Sequence, residues 1–334
     1  KMRKRLFAVL TIVLLTIMLA GCQTPSPVKI EDEKETEAVD IRIGGLKGPT
    51  SMGMVRLMEL AEAGEVANNY TFTISGSADE VTPKLIKGEL DMAAVPANLA
   101  SVLYNNTNGE VKLLAINTLG VNYIVNKGDE VQSFADLKGK TIYGTGKGSI
   151  PEYILRYLLS ANGIDPDKDV KLEWKSEPTE IVALFSKLEK GIALMPQPYV
   201  TVAQTQIEGL RIALDLTKEW RAFSNDSTLI TGVLVVRKDF AEKYPEQIAT
   251  FLDEYQQSTE YVNAHIPEAA KLVEKYGIVK AAVAEKAIPY CNIYYMDGTE
   301  MKTAMQGYLK VLYEQNPKAI GGKLPRDDFY YEKE

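Results

Sequence analysis

The chain has 334 residues, 46% hydrophobic and 25% charged, with 38 basic and 45 acidic side chains for a formal charge of −7. This composition excludes a wholly disordered chain and a polytopic membrane protein, and the length suffices for two cores of about 100–150 residues each. An acidic balance, one histidine (His265) and two cysteines (Cys22 and Cys291) leave no basic nucleic-acid footprint and too few parts for a zinc site, a histidine-based triad or a disulfide framework.

Lys1, Arg3, Lys4 and Arg5 precede a 15-residue apolar run, residues 6–20. The run is short of the roughly 20 residues that cross a bilayer as a helix, and suits the apolar region of a secretory signal. It ends in Leu19-Ala20-Gly21-Cys22, which resembles the bacterial lipobox. That resemblance implies cleavage before Cys22 and a lipid on its thiol. Residues 1–21 read as the signal peptide and 22–39 as a lipidated, solvated linker, rich in Pro, Glu and Lys. Removing the signal takes four positive charges from the formal −7 and leaves −11. Cys291 is then unpaired and expected to be a buried thiol.

From Asp40 onward, β-rich runs alternate with helical periods. Strands are expected at 41–43, 70–75, 91–95 and 111–116, with helices after the first, at 79–87 and at 97–104. The pattern restarts with strands at 141–143, 170–174, 192–195 and 210–214 and helices at 152–161, 179–189 and 199–208. An offset of one hundred residues superposes Gly44, Lys47, Gly48 and Arg56 on Gly144, Lys147, Gly148 and Arg156. Strands separated by helices predict right-handed βαβ units and mostly parallel sheets. The remainder reads as a strand over 229–236 followed by helices at 241–262, 268–276, 279–287 and 299–313. The expected fold is α/β with two lobes: 40–121 and 230–334 form the first, and 122–229 form the second, inserted into it. Two extended crossings, at 117–127 and 225–233, would hinge the lobes about a cleft.

The lipobox, the glycine-rich turn after the first strand, Lys87-Gly88-Glu89-Leu90-Asp91-Met92-Ala93 and Phe134-Ala135-Asp136-Leu137-Lys138-Gly139-Lys140 together resemble the solute-binding lipoproteins of ABC importers. The nearest branch is the nitrate, sulfonate, taurine and thiamine-pyrimidine (NMT1/THI5-like) group, over residues 40–320. The resemblance implies a type II periplasmic-binding-protein fold and a small-molecule solute, with permease and ATPase subunits as partners. It also implies a lipid anchor at the extracytoplasmic face of the cell membrane, a monomeric state, no cofactor and no catalysis.

Ligands of open α/β sheets sit outside the carboxyl ends of the strands. The candidate ligand residues are therefore Lys47, Gly48, Thr50, Ser51, Gly76, Ser77, Pro96 and Asn98 from the first lobe. Tyr123, Thr145, Lys147, Ser149, Gln197 and Tyr199 come from the second. Helix-start N–H groups and hydroxyls suit an anionic or carbonyl-rich group, while tyrosines offer flat apolar surface. Each has a competing role: Ser51, Ser77 and Ser149 as helix caps, the lysines as solvated charges, the glycines as turns. Trp220 reads as core or hinge packing, and His265 as a surface residue.

Gly144-Thr145-Gly146-Lys147-Gly148-Ser149 fails as a phosphate loop because Gly148 stands where Ser or Thr must follow the lysine. The solute is expected to be a sulfonate- or nitrate-like anion, or a pyrimidine or vitamin precursor, captured by closure of the lobes. Two other readings are a ligand-sensing ectodomain and a pyrimidine-synthase-like enzyme. The latter resemblance implies histidine and a cysteine-rich segment, whereas this chain has a single histidine, His265, and only Cys291 outside the signal.

Overall fold

The computed structural model describes residues 37–333, apart from 129–130 and 224–226. The signal peptide, Cys22 and the linker through residue 36 lie outside the described residues, as does 224–226 of the expected second crossing. Among the described residues, eleven strands form two sheets. The first contains β1 (Asp40–Leu46), β2 (Asn69–Ser75), β3 (Met92–Pro96), β4 (Val111–Leu119), β10 (Ile230–Arg237) and β11 (Ile293–Met296). The second contains β5 (Asn122–Lys127), β6 (Thr141–Thr145), β7 (Lys171–Lys175), β8 (Gly191–Pro196) and β9 (Arg211–Asp215).

The first sheet runs β11-β4-β10-β3-β1-β2 and the second β7-β6-β8-β5-β9. Apart from β11, the two orders are the same design, with β1, β2, β3 and β4 answered by β6, β7, β8 and β9. In each sheet the strand that arrives from the other lobe is wedged in antiparallel, β10 between β3 and β4 and β5 between β8 and β9. The sheets are therefore mixed, which corrects the expectation of mostly parallel ones: only β1–β2, β1–β3, β6–β7 and β6–β8 pair parallel. A chain that leaves one lobe and re-enters it comes in from the opposite end, which reverses the direction of the returning strand.

The sequence reading placed an extended crossing at 117–127. Here 111–119 and 122–127 are both strand, leaving only Gly120 and Val121 between them. A side chain at Gly120 would put its Cβ 2.2 Å from Thr217 Oγ1 and 2.9 Å from Leu229 Cβ, so the chain crosses between the sheets where no Cβ fits. The Gly120 carbonyl accepts from Asn292 Nδ2 at 2.6 Å and Thr217 Oγ1 at 3.0 Å, which ties the crossing to both lobes. The other side of the connection is a helix, Leu216–Phe223, absent from the sequence reading.

Local chemistry explains several element ends. The Phe134–Leu137 turn is fixed by Asp136, whose carboxylate accepts from Gln132 N, Ser133 N and Ser133 Oγ at 2.9–3.0 Å. These bonds hold that carboxylate below its ordinary range. Phe134 and Leu137 then point into the core. The single helix expected over 241–262 is two, Lys238–Lys243 and Pro245–Ala264, because Pro245 has no N–H to continue the first.

One buried apolar cluster extends through both lobes. Ile154, Leu155 and Leu158 of helix Ile150–Ala161 join Trp220 and then Met305, Tyr308 and Leu309 of helix Gly298–Gln315. Cys291 is fully buried and its thiol is pushed up to about 12 by loss of hydration. Iodoacetamide at pH 8 is therefore expected to spare Cys291 in the folded chain and to modify it after denaturation, as read by peptide mass spectrometry; rapid native labelling would refute the burial. An unfolded thiol ionises near pH ~8.5, so the folded state holds the extra proton and this group's contribution to stability falls as pH rises from about 9 toward 12.

Candidate functional site

The carboxyl ends of β3, β6 and β8 and the amino ends of β5 and β10 meet around one cavity between the sheets. Register fixes this: Asn122 opposes Pro196, and Gly232 opposes Pro96. The cavity holds about 220 Å³, below the roughly 300–1,000 Å³ of drug-sized ligand pockets. The first lobe lines it with Pro96, Asn98, Ile230, Thr231 and Tyr308, and the second with Thr145, Ile150, Pro151, Ile154, Leu194 and Pro196. Val121 and Asn122 complete it from the crossing between the sheets. The polar side chains in this wall are Asn98, Asn122, Thr145, Thr231 and the phenol of Tyr308, all neutral, set among aliphatic side chains.

The lobes are bonded to each other beside the cavity. Asn316 Nδ2 donates to Tyr153 Oη at 2.7 Å, and Tyr153 Oη donates to the Gly148 carbonyl at 2.8 Å. On the opposite flank Tyr123 Oη donates to the Tyr290 carbonyl at 2.6 Å, with the two rings edge to face. Burial and the nearby Asp215 charge raise the Tyr123 phenol above its ordinary range, so it stays a donor.

Of the fourteen ligand candidates, Pro96, Asn98 and Thr145 line the cavity. The others fall elsewhere. Ser51 is fully buried and its Oγ accepts from Leu46 N at 2.9 Å, closing the turn after β1 inside the lobe. Thr50 is buried, with its carbonyl accepting from Asn117 Nδ2 at 3.0 Å and its methyl group against Gly232. Lys47, Gly48, Gly76 and Ser77 follow β1 and β2, which lie beyond β3 from the seam with β10, and Lys47, Gly76 and Ser77 are exposed.

Lys147 is exposed, and Ser149 Oγ donates to the Gly146 carbonyl at 2.6 Å, a local turn bond. Tyr123 is an interlobe contact, and Tyr199 is 39% exposed on the outer face of its helix start. Gln197 is buried; its Oε1 accepts from Thr201 N and Oγ1, while Nε2 has no protein partner.

Trp220 is fully buried, its ring 4.8 Å from Tyr157 and 5.9 Å from Tyr308, and Nε1 donates to Ser227 Oγ at 3.3 Å. His265 is exposed and stacks on Tyr261 at 4.4 Å. The sequence reading missed Asn122, Thr231 and Tyr308. The first two open the returning strands, and no local pattern says where those strands insert. Tyr308 carries a faint signal, an aromatic on the buried stripe of a helix.

The model of the NMT1-like family matches residues 59–276. A putative binding protein of Brucella abortus is 24% identical over 174 residues, 52% of this chain and 52% of that protein. The chain thus spans about half the length of the curated relatives it matches. Among solved structures, an ABC transporter protein from Parabacteroides distasonis is 25% identical with a TM-score of 0.74, covering 88% of this chain and 99% of that one. The periplasmic aliphatic sulphonate binding protein SsuA of Escherichia coli has a TM-score of 0.69 at 16% identity, covering 88% and 92%. The periplasmic nitrate-binding protein NrtA of Synechocystis has 0.56 at 14%, covering 88% and 87%. At those identities the last two likenesses establish the fold.

Proposed function

The chain belongs to the NMT1-like family, and from that premise we propose that it is the solute-binding component of an ABC importer, holding a compact neutral solute between its lobes. The observation that carries this reading is the neutral, largely apolar cavity at the strand ends, bounded by both lobes. Such a wall suits a flat, uncharged ring of the pyrimidine or vitamin-precursor type. An anion there would find no arginine or lysine in the lining to meet its charge.

Capture is a population shift. Solute contacts one lobe, the pivot at Gly120 closes, and bonds such as Tyr153–Asn316 form across the cleft as water leaves. The permease receives the closed form. The Cys22 lipid anchor belongs to this reading and would hold the protein at the extracytoplasmic face. Among the described residues, no helix is long and apolar enough to cross a membrane.

A small sulfonate or nitrate is the second reading. It is supported by the fold likeness to SsuA and NrtA and by the start of helix Ala97–Asn106 at the cavity. Thermal denaturation with graded pyrimidines, vitamin precursors, alkanesulfonates and nitrate separates the two. The expected result is a saturable rise in Tm with a neutral heteroaromatic. Saturable stabilisation by the anions alone overturns it.

A further inference from the structure

Of the five polar side chains in the cavity wall, four have free polarity: the hydroxyls of Thr145, Thr231 and Tyr308 rotate, and the Asn122 amide can present either end. Asn98 differs. Its Nδ2 donates to the Ala319 carbonyl at 2.9 Å, and a carbonyl can only accept, so the amide cannot be turned round without breaking that bond. Its Oδ1 accepts from no protein donor among the described residues, and the second Nδ2 hydrogen is not used by that bond.

The partner that fixes it is itself fixed. Segment Pro317–Ile320 is tied to the same helix as Asn98, with Ser101 Oγ and Asn105 Nδ2 donating to the Ile320 carbonyl at 2.8 and 2.9 Å. Asn316 Oδ1 accepts from Lys318 N at 3.1 Å, while its Nδ2 reaches across to Tyr153 of the other lobe. The carbonyl that sets the polarity of Asn98 thus belongs to the strap that joins the lobes.

We propose that Asn98 is a specificity-determining residue, its Oδ1 held by Ala319 as a hydrogen-bond acceptor, so that the cleft selects neutral solutes carrying an N–H or O–H donor over isosteres without one. This rests on the neutral-solute reading above and narrows it. A solute donor satisfies the lone pairs of Oδ1, whereas an isostere without one leaves that oxygen unpaired.

The test is titration calorimetry on the full chain at pH 8 with 4-aminopyrimidine and 4-(dimethylamino)pyrimidine, which differ in the N–H donors of the amino group and the methyl groups that replace them, and with methanesulfonate. The amino compound is expected to bind about tenfold more tightly than its dimethyl analogue, a ratio worth about 1.4 kcal/mol. Asn98→Leu is expected to bring that ratio to about one, chiefly by weakening the amino compound. Equal affinities in the unaltered chain overturn the role of Asn98 and leave the neutral-solute reading standing, and this arm needs no variant to fold. A ratio unchanged in Asn98→Leu, with both affinities lowered alike, also overturns it, since a purely structural role would do that. Binding of methanesulfonate with neither pyrimidine overturns both.

Discussion

Trp220→Ala is expected to destabilise the chain by about 3–5 kcal/mol, the usual cost of truncating a fully buried tryptophan. The indole packs on Tyr157 of the second lobe and Tyr308 of helix Gly298–Gln315, and no water reaches it. Alanine leaves a cavity at the junction that both lobes share, and Ser227 Oγ loses its donor. Because Tyr308 also lines the solute cavity, the loss should reach binding as well as stability. Urea denaturation measures the first effect. A double cycle with Tyr308→Ala measures the coupling, expected at about 0.5–3 kcal/mol for rings in contact. A loss below 1 kcal/mol would mean that the junction repacks freely and that Trp220 does not set the lobe arrangement.

Thr145→Trp is expected to abolish solute binding, more than about 100-fold, while leaving the fold intact. Thr145 ends β6 and is half-buried at the cavity wall, so a larger side chain there enters the cavity rather than the core. An indole would fill much of the 220 Å³ and clash with any occupant. The informative comparison is Lys147→Trp, two residues on, which is exposed outside the cavity and should leave binding unchanged. Calorimetry with whichever compound raises Tm reads both variants. Full binding by Thr145→Trp would show that solute sits elsewhere.

The contrast between those two positions marks how far the sequence could be read. Thr145 ends β6 and Lys147 lies in the glycine-bearing turn that follows, and nothing local distinguishes the one that lines the cavity from the one in water. The βαβ alternation was legible because burial of one helix face and of the strands imprints periods on the chain itself. The repeated Gly44 and Gly144 mark one shared constraint: a Cβ would lie 2.7 Å from Leu90 Cδ1 at the first and 2.7 Å from Trp174 at the second. Cys291 as a buried thiol and Pro96 at a cleft-facing strand end were likewise written in short-range pattern.

What tertiary structure alone decided was which strands became neighbours. Inserting β10 beside β3 and β5 beside β8 moved the cavity to those two seams. Lys47, Gly76 and Ser77 thereby stand outside that cavity's lining, while Asn122, Thr231 and Tyr308 were brought in from distant parts of the chain. The polarity of Asn98 was settled by a carbonyl in the strap near the C-terminus. Periodicity records whether a residue is buried, since solvent acts on each position separately. It does not record against what, because strand pairing and side-chain hydrogen bonds are fixed by partners far away in sequence that leave no local trace.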